Sequence, residues 1–105
     1  MKQNYKTIKV TSLEDHITLV TLNRPQAANA FNTLMAEEII HLFEIFSLDP
    51  SHCRAVILTG AGERAFCAGG DLKERNGMTD AEWASQHLVY EKMARTIIGC
   101  PIPII

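Results

Sequence analysis

The chain has 105 residues, 47% of them hydrophobic and 21% charged. That is the balance of one modest globular domain, and it argues against a disordered tail, a collagen-like repeat or a coiled coil. Lys and Arg number 10 against 12 Asp and Glu, a net charge of -2, so no basic excess points to nucleic acid or to an anionic membrane surface.

No apolar run approaches the about 20 residues a spanning helix needs. Glu14, Asp15, Arg24 and Pro25 leave no apolar core for a signal peptide near the start, and the expectation is a cytoplasmic protein. Cys53, Cys67 and Cys100 form no C-x-x-C pair, and His16, His41, His52 and His87 share no metal-binding spacing, so neither a disulfide framework nor a zinc site is expected. His52 beside Cys53 reads as a solvated turn histidine next to a small buried thiol, because neighbours in sequence rarely face each other.

Thr7 to Ser12 alternates with Ile8 and Val10 on one side, and Ile17 to Leu22 alternates again with Ile17, Leu19 and Thr21 on one side and Val20 and Leu22 on the other. Two period-2 segments joined by Leu13–His16 predict a hairpin. Pro25 ends the second strand, since it cannot donate to a ladder. Asn32 is a good N-cap for a helix in which Met35, Ile39, Leu42 and Phe46 recur at helical spacing, with Ile40 and Phe43 widening the stripe. Asp49-Pro50-Ser51 ends it. Ala55-Val56-Ile57-Leu58 is a short, continuous apolar run, which predicts a strand buried on both faces.

The loop Thr59–Asp71 holds four of the six glycines. Beyond it, Asp71 reads as the N-cap of a short helix Leu72–Arg75. Thr79 with Glu82 reads as a capping box opening a second helix, with an apolar stripe of Trp83, His87, Tyr90, Ala94 and Ile97 flanked by Ala84 and Leu88. Pro101-Ile102-Pro103-Ile104-Ile105 reads as the start of another buried strand, so these residues are expected to be the first part of a larger domain. The order is β-β-α-β-loop-α-(β).

Three readings of the glycine loop stand on the residues. Gly60-Ala61-Gly62-Glu63-Arg64-Ala65 matches G-x-G-x-x-A after a strand. That chemistry needs a helix to start at once, and Phe66–Gly70 breaks one. In the second reading the glycines only permit tight turns. In the third, Gly69-Gly70 before Asp71 lets backbone N–H groups approach a ligand, and the helix start supplies donors for a developing negative charge. Lys73 and Arg75 then add cations near the mouth for phosphate groups.

Two segments carry a family resemblance. Leu22-Asn23-Arg24-Pro25-Gln26-Ala27-Ala28-Asn29-Ala30-Phe31 and Gly62-Glu63-Arg64-Ala65-Phe66-Cys67-Ala68-Gly69-Gly70-Asp71-Leu72-Lys73 resemble the L-N-R-P and A-F-[CS]-A-G-x-D motifs of the enoyl-CoA hydratase/isomerase (crotonase) family. The resemblance implies an α/β fold, the N-terminal part of a crotonase-like (ββα) superhelix. It implies an acyl-CoA enzyme with a backbone oxyanion hole, most simply a hydratase of 2-enoyl-CoA. Enoyl-CoA isomerisation, acyl-CoA hydrolysis and decarboxylation share that hole. A binding or interaction module without catalysis also fits a chain of this length.

By the resemblance, the Gly70 N–H is one of two oxyanion donors, and the Ala68 carbonyl meets the adenine amino group. Gly69, Gly70, Asp71, Leu72 and Lys73 line the ligand, with Lys73 on a CoA phosphate, and Ala27 lies along the CoA chain. No cofactor is implied, coenzyme A arriving as part of the substrate, and a homo-trimer or hexamer is implied for the complete protein. The second donor and the acid/base carboxylates of the family follow a stretch like Pro103-Ile104-Ile105. Glu63, Glu74, Glu82 and Glu91 take no such role by position, and the 105-residue chain alone is expected to be inactive. Asn23, Arg24 and Asn29 are expected to brace their loop by side-chain hydrogen bonds, and Cys67 to be a buried structural thiol.

Overall fold

The two alternating segments do form a hairpin. In the computed structural model, which describes residues 4–105, β1 (Ile8–Ser12) pairs antiparallel with β2 (Ile17–Leu22), Ile8 opposite Leu22 and Val10 opposite Val20. A four-residue connection closes it, with Asp15 and His16 in the left-handed region. Asn32 caps α1 (Thr33–Leu48) by accepting the Met35 N–H at 2.9 Å. The chain then returns as β3 (Ala55–Gly60), parallel to β2, to give a three-stranded sheet in the order β1-β2-β3.

The period-2 register puts Ile8, Val20, Leu22 and Val56 on one sheet face. The 3.6-residue period of α1 puts Met35, Ile39, Leu42, Phe43 and Phe46 opposite them, and together with Cys53 and Ile102 these residues form the core. Burial of this kind is worth about 1.5–3 kcal/mol for each large apolar side chain. β3 departs from expectation. Val56 is fully buried, but Ile57 is only half-buried, as is Leu19 beside it on the same face, and neither joins the core. The covered face is the one facing α1.

Past β3, α2 (Leu72–Arg75) is a single turn and α3 (Asp80–Ile98) packs against α1. The capping box of α3 forms as read, with Thr79 and Glu82 each accepting from the other's backbone N–H. Its inward stripe differs from the expected one. Gln86 is the buried position, with Tyr90, Met93 and Ile97 half-buried, while Trp83 and Leu88 are exposed. Polar contacts choose the face here: the Gln86 amide donates to Glu74 and Thr33. The last residues run parallel to β3 along its open edge, the Val56 N–H donating to the Pro103 carbonyl and the Ile105 N–H to the Val56 carbonyl. That is the strand start read from the two prolines. No helix among the described residues is long and apolar enough to cross a membrane.

Candidate functional site

Two loops meet at the end of the sheet. After β2 the chain turns at Pro25–Ala27 and passes through Ala28 and Asn29, both left-handed at φ 52° and 56°. An alanine there costs roughly 1–2 kcal/mol, so the turn is held from outside. Asn29 holds it. Its fully buried carboxamide accepts the Arg24 N–H at 2.9 Å and donates to the carbonyls of Ala61 at 2.8 Å and Ala65 at 2.9 Å. One side chain thereby ties the 24–29 turn to the glycine loop. Gly60 allows the approach, since a Cβ there would stand 2.4 Å from the Phe66 carbonyl oxygen. No helix starts at Gly60, and the dinucleotide reading falls with that.

Residues 28–31 then run beside 68–71. The Ala68 N–H donates to the Ala28 carbonyl, the Phe31 N–H to Gly69, and the Asp71 N–H to Phe31, making a parallel bridge between Phe31 and Gly70. In such a bridge the flanking peptides bond the partner, and the central residue's own N–H and C=O point away from it. The Gly70 N–H accordingly finds no acceptor among the described residues. Nor does the fold need a glycine here for space. A Cβ on Gly70 would meet the Phe31 and Tyr90 rings at 3.9 Å, ordinary contact, and its φ lies outside the left-handed region that Gly62, Gly69 and Gly77 occupy. The tight-turn reading therefore accounts for the glycines around position 70 but not for Gly70 itself.

Arg24 and Asp71 form the second tie. The guanidinium donates to the Ala30 carbonyl at 2.5 Å and meets the Asp71 carboxylate at 3.0 Å, both side chains largely buried. The other Asp71 oxygen accepts the N–H of Lys73 at 2.9 Å and of Glu74 at 3.4 Å. This revises the expectation for α2: the N–H groups of its second and third residues are taken by its own cap. Burial alone would push the Asp71 carboxyl up. The Arg24 hydrogen bond, the two backbone N–H groups and the guanidinium charge outweigh it and hold the carboxyl below the usual carboxylate range.

A folded-state value below the unfolded value of about 3.9 contributes stability that is fully present above that pH and lost as pH falls through the folded value. Asp71→Asn is therefore expected to be less stable than wild type near neutrality, the two urea midpoints converging as pH drops below about 4. A gap that stays constant through the acid limb would show that the carboxylate charge does not hold these loops.

Between the loops lies a cleft of about 620 Å³, lined by Ala27, Ala28, Ala30, Ala68, Gly70 and Leu72, with Arg24, Gln26, Arg64, Asp71 and Lys73 around it. Its size is that of a small-molecule site. Of the residues singled out from sequence, Ala27, Ala68, Gly70, Asp71, Leu72 and Lys73 share this wall. Gly69 does not line it; at φ +95° it shapes the loop and gives its carbonyl to the Phe31 N–H. Arg75 is also displaced from expectation, with its guanidinium 5.2 Å above the Trp83 ring. The second exposed cation of the cleft is instead Arg64, which sequence reasoning missed because its place depends on how the loop folds back.

The Ala68 carbonyl accepts no hydrogen bond among the described residues, and the residue is exposed. Asn23 is exposed and braces nothing among the described residues, unlike Arg24 and Asn29. Cys67 is only half-buried, against the edge of the core. Cys53 is buried and His52 exposed, as read.

Comparison with known proteins agrees with this geometry. Residues 12–105 match the family described as enoyl-CoA hydratase/isomerase. Bacillus subtilis YngF, which bears an enoyl-CoA hydratase/isomerase name, is 38% identical over 99 residues, covering 94% of this chain and 38% of its own length. The mitochondrial Delta(3,5)-Delta(2,4)-dienoyl-CoA isomerase of Rattus norvegicus is 35% identical over 113 residues, covering 97% of this chain and 34% of its own. The crystal structure of an enoyl-CoA hydratase from Bacillus anthracis superposes with a TM-score of 0.89 at 33% identity, covering 94% of this chain and 38% of that one. The chain thus spans under two fifths of each of these three relatives, and its α/β arrangement is the corresponding part of the crotonase fold. With both sequence motifs brought to one cleft and a match along nearly its whole length, the chain belongs to the enoyl-CoA hydratase/isomerase family.

Proposed function

We propose that these residues are the N-terminal portion of a single crotonase-like domain, and that the complete protein adds water across the double bond of a 2-enoyl-CoA. The observation that carries the reading is the Gly70 N–H. It is fixed by the bridge to Phe31, it has no acceptor among the described residues, and it sits at the wall of the cleft.

A thioester carbonyl oxygen accepting this N–H is polarised. As water adds at the β-carbon, electron density moves onto that oxygen, and a preorganised donor stabilises the enolate-like state more than the ground state. One such donor is worth about 2.7–4 kcal/mol. The Ala68 carbonyl, with no donor among the described residues, suits the adenine amino group, Lys73 and Arg64 suit the phosphates, and Ala27 and Leu72 offer apolar wall. Gly69 supports this set from behind. Coenzyme A enters as part of the substrate, with no separate cofactor. Asp71 is occupied as a cap and ion pair, and one Glu74 oxygen takes three donors, so the acid and base belong to residues outside this chain. By the same resemblance we expect a trimer or hexamer.

Isomerisation is the second reading, favoured by the similarity to the dienoyl-CoA isomerase. Mass spectrometry of products formed from 2-enoyl- and 3-enoyl-CoA by the full-length protein separates the possibilities. A product heavier by one water is expected. Unchanged mass with a moved double bond would establish the isomerase, free CoA a hydrolase, and tight binding without turnover a binding module.

A further inference from the structure

Both peptide groups flanking Gly70 are tied to one residue, Phe31. Its N–H donates to the Gly69 carbonyl at 2.9 Å and its carbonyl accepts the Asp71 N–H at 2.9 Å. Phe31 is tied to the rest of the molecule by Tyr90 of α3. The Tyr90 hydroxyl donates to the same Phe31 carbonyl at 3.2 Å, filling its second lone pair. The two rings pack edge to face, with centroids 4.8 Å apart at 84°. The Tyr90 ring edge also stands 3.9 Å from where a Gly70 Cβ would lie. Tyr90 therefore contacts the Phe31 strand of the bridge and lines the space beside Gly70. Burial first, and then the charges of Glu74 and Asp71, raise the phenol above its ordinary range, so it is a donor at neutral pH.

We propose that Tyr90 is a positioning residue for the oxyanion hole. Its hydroxyl fixes the Phe31 carbonyl, and through that carbonyl the orientation of the Gly70 N–H. The inference rests on the reading of Gly70 as donor. The geometry supports it over simple packing, because a packing role needs only the ring, whereas the hydroxyl is aimed at the one backbone atom shared with the Asp71 N–H. A lost or slackened contact of this kind changes the placement of a catalytic group, and misplacement costs rate more than affinity.

The test is Tyr90→Phe in the full-length protein, which keeps the ring and deletes the hydroxyl. Bound to a conjugated dienoyl-CoA, the wild type is expected to red-shift the probe's absorption, because the donor draws charge toward the carbonyl oxygen. Y90F is expected to bind the probe within about twofold of wild type with a smaller red shift, and to turn over an enoyl-CoA about tenfold more slowly with KM little changed. Amide exchange adds a readout that needs no ligand: the Asp71 and Phe31 N–H groups exchange faster in Y90F, while those in the middle of α1 do not. An unchanged red shift, or unchanged exchange at both amides, overturns the positioning role. A wild-type protein that binds the probe without any red shift overturns the Gly70 reading itself, whatever Y90F does.

Discussion

Gly70→Pro is expected to lower thioester turnover by the full-length protein about 10²–10³-fold, the loss seen when one oxyanion donor is removed. Proline deletes a single N–H, and that N–H has no acceptor within the described fold, so no internal hydrogen bond is lost with it. The preceding residue is a glycine at φ +95°, the residue type freest to tolerate the restriction a following proline imposes. Gly70→Ala is the companion variant. It keeps the N–H, and its Cβ meets the two rings at ordinary distance. Turnover by the alanine variant should stay within a few-fold of wild type, so that the difference between the two variants isolates the donor. The effect belongs in kcat, because the bond strengthens as charge develops on the oxygen. If the proline variant folds, binds acyl-CoA and turns over as fast as the alanine variant, Gly70 is not the donor.

The largest effect on stability is expected from Asn29→Ala, a loss of about 3–5 kcal/mol. The substitution strands the Arg24 N–H and the Ala61 and Ala65 carbonyls. A stranded buried group costs about 1–3 kcal/mol, an upper figure where water enters the vacated space. It also puts alanine at φ 56°, worth roughly 1 kcal/mol more. Against a typical total of about 5–15 kcal/mol, this brings a small domain close to unfolding at ambient temperature. Urea denaturation gives the value through the midpoint at constant slope. A loss below about 1 kcal/mol would mean that water replaces the carboxamide and that the Arg24–Asp71 pair suffices to join the loops.

The elements read best from the residues are those whose cause is local. Alternation at Ile8, Val10, Val20 and Leu22 is a property of five or six neighbours, and it places β1 and β2. The caps Asn32, Asp71 and Thr79 each satisfy N–H groups within three residues, so adjacent sequence carries the whole signal. The motifs around Arg24 and Gly70 are equally local as strings, and they point to acyl-CoA chemistry before any coordinate is known.

What the sequence could not determine depends on partners far along the chain. Arg24 and Asp71 stand 47 positions apart, Gln86 and Thr33 53, and Tyr90 and Phe31 59. Nothing in either neighbourhood announces the pairing. The inward face of α3 departs from the expected stripe for this reason, keeping Tyr90 and Ile97 but not Trp83, His87 or Ala94. Hydrophobic periodicity favours Trp83 and His87, but the helix turns Gln86 inward because a carboxylate and a hydroxyl wait for its amide. The glycines show the same division. Their clustering marks a loop that approaches something closely, whereas only the folded structure shows that Gly60 is required by its contact with the Phe66 carbonyl and Gly69 by its φ, and that the bridge to Phe31 leaves Gly70 with no acceptor among the described residues. Periodicity and caps by themselves determined the elements, and the motifs, through the family they resemble, the chemistry to look for. The tertiary structure decided that the Gly70 N–H is left unpaired among the described residues, because satisfaction of a polar group is settled by whatever arrives beside it in space.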